Sequence, residues 1–155
     1  YIGLLLKKNK LNIDSKLKKY FLKKYLFPKP SMIGSEINKF ATSCIDISDG
    51  FYGDLSKLIN NKSLGAEIYF NKIPINKITK DIITSNKINL NTLLNSGDDY
   101  ELIFTSPSLN NDKIIKISKK FKCKISKVGR INNKKDIYLD GKKLLNIKNS
   151  YQYLF

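Results

Sequence analysis

The sequence predicts an α+β domain, and three observations carry that expectation. Segments with apolar residues at helical spacing alternate with short segments of period two. Asp140-Gly141 closes the last strand-like segments in a turn, so some strands are joined directly rather than by helical crossovers. No internal repeat or low-complexity linker interrupts the 155 residues. That length holds one domain with its own core, and 41% hydrophobic residues are enough to fill it.

Tyr1-Ile2-Gly3-Leu4-Leu5-Leu6 reads as the end of an apolar helix. Asp14 or Ser15 caps a helix that carries Leu17, Tyr20, Phe21 and Tyr25 to Phe27, and Pro28-Lys29-Pro30 ends it. A short helix is expected from Ser35 to Phe40. From Thr42 to Ser48, Ile45 and Ile47 alternate with Cys44, Asp46 and Ser48, the pattern of a strand, which Gly50 breaks. Helical spacing resumes from Phe51 through Leu55, Leu58 and Ile59 to Asn60, where Asn60-Asn61 signals a turn. Gly65 to Phe70 is expected as a strand, Ile73-Pro74-Ile75 as a loop and Asp81 to Ser85 as a helical turn. Tyr100 to Thr105 is a strand with Tyr100, Leu102 and Phe104 on one face. Asn111 to Phe121 is an amphipathic helix, and Cys123 to Ile131 and Asp136 to Leu139 are expected to pair as the final strands.

Composition removes several kinds of function. There is no histidine, and Cys44 and Cys123 stand far apart, so Ser-His and Cys-His catalysis, a Cys/His zinc site and a disulfide scaffold are not available. No apolar run approaches the ~20 residues that span a bilayer, and the first residues lack a basic leader, so no membrane association and a cytoplasmic location are expected. The chain starts at Tyr rather than Met and is read as a fragment. Its net charge of +16 invites nucleic acid, but 28 of its 29 basic residues are lysine, with Arg130 the single arginine. Scattered Lys, Ile and Asn with only two alanines point instead to an A/T-rich coding sequence, and no nucleic-acid partner is expected.

Against that background the acids are unevenly placed. Of 13, five fall in Asp46-Ile47-Ser48-Asp49 and Asp98-Asp99-Tyr100-Glu101. Clustered carboxylates repel one another unless a cation or water intervenes. In an extended segment Asp46 and Ser48 share a face and Asp49 follows at the strand-to-helix turn, a place that suits phosphate through free helix N–H groups and Mg²⁺ through carboxylates. Asp49 fits an N-cap equally well, and Asp54 is read as an acid matching the helix dipole. In the second window Gly97 bends the chain and sets Asp98 and Asp99 at the mouth of a strand, where a solvated capping turn is the other possibility.

The strings Ile45-Asp46-Ile47-Ser48-Asp49-Gly50-Phe51, Asp54-Leu55, Ser63-Leu64-Gly65-Ala66-Glu67-Ile68, Ile73-Pro74-Ile75, Gly97-Asp98-Asp99-Tyr100-Glu101-Leu102-Ile103-Phe104-Thr105 and Val128-Gly129-Arg130-Ile131 occur in an order that resembles the thiamine-monophosphate kinase family. Gly3-Leu4, Pro28-Lys29-Pro30 and Gly34 extend the resemblance over nearly the whole chain. It implies the C-terminal domain of the aminoimidazole-ribonucleotide-synthetase (PurM-like) superfamily, a mixed β-sheet flanked by α-helices. Residues 1–155 would form this single domain of a two-domain kinase whose N-terminal domain is absent from the chain and forms a homodimer.

The resemblance also implies an activity: ATP-dependent phosphorylation of thiamine monophosphate to thiamine diphosphate with Mg²⁺. By motif position, Asp46 and Asp49 resemble Mg²⁺ ligands, Ser48 an ATP contact and Asp98 a substrate contact. Tyr151 is the best match to an aromatic residue that approaches thiamine, although the tail Ser150-Tyr151-Gln152-Tyr153-Leu154-Phe155 lacks the Gly and His that flank it in the family. Phe51 and Cys44 stand where the family usually has Leu and Met. Such a transfer needs no strong general base, because the attacking phosphate is already an anion, and this agrees with a chain that has no histidine. Other enzymes of the superfamily, of selenophosphate-synthetase or hydrogenase-maturation type, a basic nucleic-acid-binding module and a non-catalytic copy are the rival expectations. The isolated fragment is expected to be inactive.

Overall fold

The structure is a computed structural model that describes residues 1–59, 63–86 and 88–144. Helix α1 (Ile2–Lys7) lies against α2 (Ser15–Leu26), whose first turn is capped by Asp14 accepting from Lys16 N and Leu17 N. The two helices approach so closely that a Cβ on Gly3 would lie 2.4 Å from Tyr25 Cβ. Ile2 and Leu6 of α1, Phe21 of α2 and Ile82 of α5 (Lys77–Ser85) form one small core.

The larger core gathers around α4 (Phe51–Leu58). Its Phe51, Tyr52 and Leu55 pack with Ile47, with Ile103 of β3 (Leu102–Thr105), with Ala66 and Ile68 of β2 (Gly65–Ile68), with Ile137 of β5 (Ile137–Leu139) and with Leu94 of α6 (Leu90–Asn95). The helix therefore shares its apolar side with two sheets. The first is an antiparallel ribbon of β1 (Ser43–Asp46) and β3, with Ser43 opposite Thr105 and Asp46 opposite Leu102. The second has the order β4-β2-β5-β6, with β4 at Gly129–Asn132 and β6 at Lys142–Lys143. β2 runs antiparallel to β4 and parallel to β5, so this sheet is mixed. Helix α3 (Ile33–Ile37) precedes β1, and α7 (Asn111–Lys120) follows β3.

Four sequence expectations are corrected. The segments around Gly129 and Ile137 do not pair with each other, because β2 lies between them. β2 can take that central place because a Cβ on Gly65 would be 1.6 Å from Lys134 O: the β4–β5 connection crosses the end of β2 where glycine leaves room. The hairpin at Asp140-Gly141 joins β5 to β6 instead. The turn expected at Asp81 starts four residues earlier, since the Asn76 side chain accepts from Thr79 N at 2.8 Å and buried Ile82 and Ile83 anchor the helix. The short helix expected over Ser35–Phe40 occupies Ile33–Ile37, burying both its terminal isoleucines. Helix α6 was not expected at all. Asn89 caps it, accepting from Asn91 N at 2.8 Å, and buried Leu94 fixes it to the core.

Candidate functional site

Both acidic windows lie at the same end of the β1–β3 ribbon. Beyond the last pair of strand residues the main chains stay joined: Ile47 N donates to Glu101 O and Tyr100 N to Ile47 O, each at 2.8 Å, and Asp98 N donates to Ser48 O at 2.9 Å. Gly97 permits this approach, since a Cβ there would lie 2.1 Å from Ser48 O. Gly50 has φ +119°, and a Cβ on it would be 2.6 Å from Asn95 O, so the end of α6 is seated against the first window. A helix of six residues thus helps fix the loop that the acidic string forms.

Within the first window the residue that organises the chain is Asp54, which has no exposed surface. One carboxylate oxygen accepts from three successive amides, Ser48 N at 2.9 Å, Asp49 N at 2.8 Å and Gly50 N at 3.2 Å. The other accepts from Lys57 Nζ at 2.8 Å, and Lys57 also binds the Asp49 carboxylate. Asp54 was expected only to match the helix dipole. It instead supplies the anion that the folded turn requires. Burial by itself would push the Asp54 carboxyl up, but Lys57 and the Asp49 and Ser48 amides outweigh it and hold the carboxyl below its ordinary range. Lys57 is held above its usual range by its bonds to Asp49 and then Asp54. The N-cap possibility for Asp49 falls away, since Gly50 occupies that position and no side chain caps it. A signal for Asp54 did exist in the sequence: it sits among Phe51, Tyr52 and Leu55, which all face the core, with Lys57 three residues on.

Asp46 stands opposite Leu102 at the end of β1 and is exposed, with no hydrogen bond or ion pair among the described residues. The acid in the apolar strand therefore opens to water rather than being buried. Ser48 gives both main-chain groups to the loop, N–H to Asp54 and C=O to Asp98. Asp98 is exposed, adopts φ +67° and accepts from the Tyr100 hydroxyl at 3.2 Å; Tyr100 is left-handed too, at φ +52°. Asp99 is exposed, yet its carboxyl is pushed up, first by desolvation and then by the neighbouring carboxylates of Glu101 and Asp98. Tyr151 lies outside the described residues.

Hard oxygen donors suit a magnesium ion that keeps several waters and shares phosphate oxygens. Among the described residues no three acidic, cysteine or histidine side chains come together as a complete cage. Asp46, whose carboxylate is unpaired in solvent, and Asp49, whose carboxylate carries the Lys57 ammonium, are the carboxylates of the first window open to such an ion. Both cysteines are free, and no described helix is long and apolar enough to cross a membrane.

The chain is 41% identical over 128 residues to the thiamine-monophosphate kinase of Buchnera aphidicola subsp. Acyrthosiphon pisum (strain APS), a match that covers 82% of this chain and 39% of the relative. The chain thus spans about two fifths of the length of that relative. Several solved structures share its fold. The thiamine-monophosphate kinase of Stenotrophomonas maltophilia K279a superposes with a TM-score of 0.79 at 23% identity, covering 92% of this chain and 46% of that one. The complex of AaThiL with AMPPCP and TMP superposes with a TM-score of 0.75 at 24% identity, covering 92% and 44%. Residues 4–142 match the family described as AIR synthase related protein, C-terminal domain, and the chain belongs to that family.

Proposed function

We propose that this chain is the C-terminal domain of a two-domain thiamine-monophosphate kinase, which transfers the γ-phosphoryl group of ATP to the phosphate of thiamine monophosphate. The single observation that carries the reading is the main-chain seam from Ile47-Ser48 to Asp98-Tyr100, which joins the two acidic segments at one end of one ribbon. Relatives that carry the kinase name support it, as does the AaThiL fold seen with AMPPCP and TMP. The N-terminal domain of the same protein supplies the rest of the site and the homodimer contact, and the enzyme works in the cytoplasm without a membrane or nucleic-acid partner.

In this reading Asp46 and Asp49 hold Mg²⁺, and Ser48 contacts ATP. Mg²⁺, when bound, offsets the repulsion between two phosphorylated molecules. Asp54 keeps the Ser48–Gly50 amides in fixed directions, so the loop that meets the nucleotide need not reorganise during the reaction. Asp98 and Tyr151 position the thiamine moiety, whose cationic ring suits an acid and an aromatic face. The attacking phosphate oxygen is already anionic, so no side chain here needs to remove a proton.

The test is steady-state kinetics on the full-length protein. Asp46→Asn and Asp49→Asn should each lower turnover by roughly a hundredfold at saturating Mg²⁺. Near-normal turnover in both would overturn the metal assignment. Asp98→Ala should raise KM for thiamine monophosphate more than it lowers kcat, and an unchanged KM would remove Asp98 from the substrate site.

A further inference from the structure

We propose that Lys57 is a resident counter-ion for the cation position at Asp49. Its ammonium holds the Asp49 carboxylate when no divalent cation does, and releases it while staying on Asp54 when one binds. The inference rests on the metal reading of Asp49 given above.

Lys57 reaches two carboxylates that differ in freedom. Asp54 has no exposed surface, and its second oxygen is fixed by three amides, so it cannot follow a moving partner. The Asp49 side chain is 22% exposed and that of Lys57 49% exposed, so their contact faces water. Breaking it leaves neither charge stranded in the interior, whereas breaking the Asp54 contact would. The Asp49 amide remains bound to Asp54 throughout, which keeps the Asp49 backbone in place while its carboxylate changes partner. A divalent cation competes with the ammonium for such a carboxylate, and the hold that Lys57 has on Asp49 is subtracted from the cation's affinity. Asp46 has no ammonium on it among the described residues, so the two carboxylates are unequal before any cation arrives.

Mn²⁺ binding to the full-length protein without nucleotide, followed by the EPR signal of the free ion, tests this. Lys57→Gln and Lys57→Met should tighten Mn²⁺ binding by roughly fivefold, the scale of an exposed ion pair. Lys57→Arg, which keeps the charge, should bind as the wild type does. In an Asp49→Asn background Lys57→Gln should have no effect. Unchanged or weaker Mn²⁺ binding on removal of the charge would overturn the inference, as would the same tightening in the Asp49→Asn background. If Asp49→Asn itself leaves Mn²⁺ binding unaltered, the metal reading fails and this inference with it; if Asp49→Asn weakens binding and Lys57→Gln does nothing, only the role of Lys57 fails. The unmutated protein gives a second measurement. The side-chain ¹⁵N–¹H signal of the Lys57 ammonium should shift in step with Mg²⁺ binding, and a signal constant to saturation would equally overturn the inference.

Discussion

The two acidic windows are neighbours, but they are held by different means. In the first, a buried carboxylate gathers three amides and an ammonium, so the charge of Asp49 is compensated and the loop is fixed from within. In the second, main-chain bonds to Ile47 and Ser48 carry the load while Asp98, Asp99 and Glu101 are exposed. Two of its residues, Asp98 and Tyr100, accept left-handed backbone that costs about 1–3 kcal/mol each for a non-glycine residue. The first window is thus built for rigidity. The second leaves its carboxylates to water.

Removing the internal support should give the largest effect. Asp54→Ala leaves three amides and Lys57 without their acceptor and should cost about 3 kcal/mol or more in urea unfolding, nearly all of it from the buried hydrogen bonds because the Lys57 end is half exposed. A loss below about 0.5 kcal/mol would show that water replaces Asp54 readily. The same residue predicts a pH dependence. Its folded pKa lies below its unfolded one, so its stabilisation is present above the ordinary carboxylate range and is lost as pH falls through the folded value. Asp54→Asn should therefore flatten the acid limb of the stability–pH curve. Asp99 contributes with the opposite sign, since its raised carboxyl destabilises the fold above its unfolded pKa, and Asp99→Asn should steepen that limb.

The seam between the windows comes next. Gly97→Ala places a Cβ 2.1 Å from Ser48 O, which backbone must move to relieve, and should cost about 1–3 kcal/mol with a matching loss of protection at the Asp98 and Tyr100 amides in hydrogen exchange. Undiminished protection would mean that the seam tolerates separation. The smallest effect is a gain. Asp98→Gly relieves a left-handed residue and should stabilise the fold by about 0.5–1 kcal/mol in thermal unfolding. A loss instead would show that the Tyr100 hydroxyl bond to Asp98 outweighs the strain.

Much of this was open to sequence reasoning. Helices α2, α4 and α7 begin and end within two residues of their expected bounds, because caps, prolines and apolar spacing are local signals. Strands β1 and β3 were legible from their alternation. Helix α6 was not, since Leu90–Asn95 is rich in turn-forming Asn and acquires helical order from Leu94 packing into the core around α4. The partners of β2 were not legible either: pairing depends on what crosses Gly65, and that is fixed by residues some seventy positions away.

By itself the sequence determined which residue types would do chemistry, because a lysine-rich chain without histidine concentrates its carboxylates in two short strings. It also determined that each string would sit at the end of a strand, since alternation and glycine are read within a few residues. Only the tertiary structure decided that the two strings are stitched together, that Asp54 rather than Asp49 satisfies the turn, and that Asp49 already has an ammonium on it. Strand register and burial are non-local: a carboxylate becomes a ligand, a cap or a support according to what the rest of the chain packs around it.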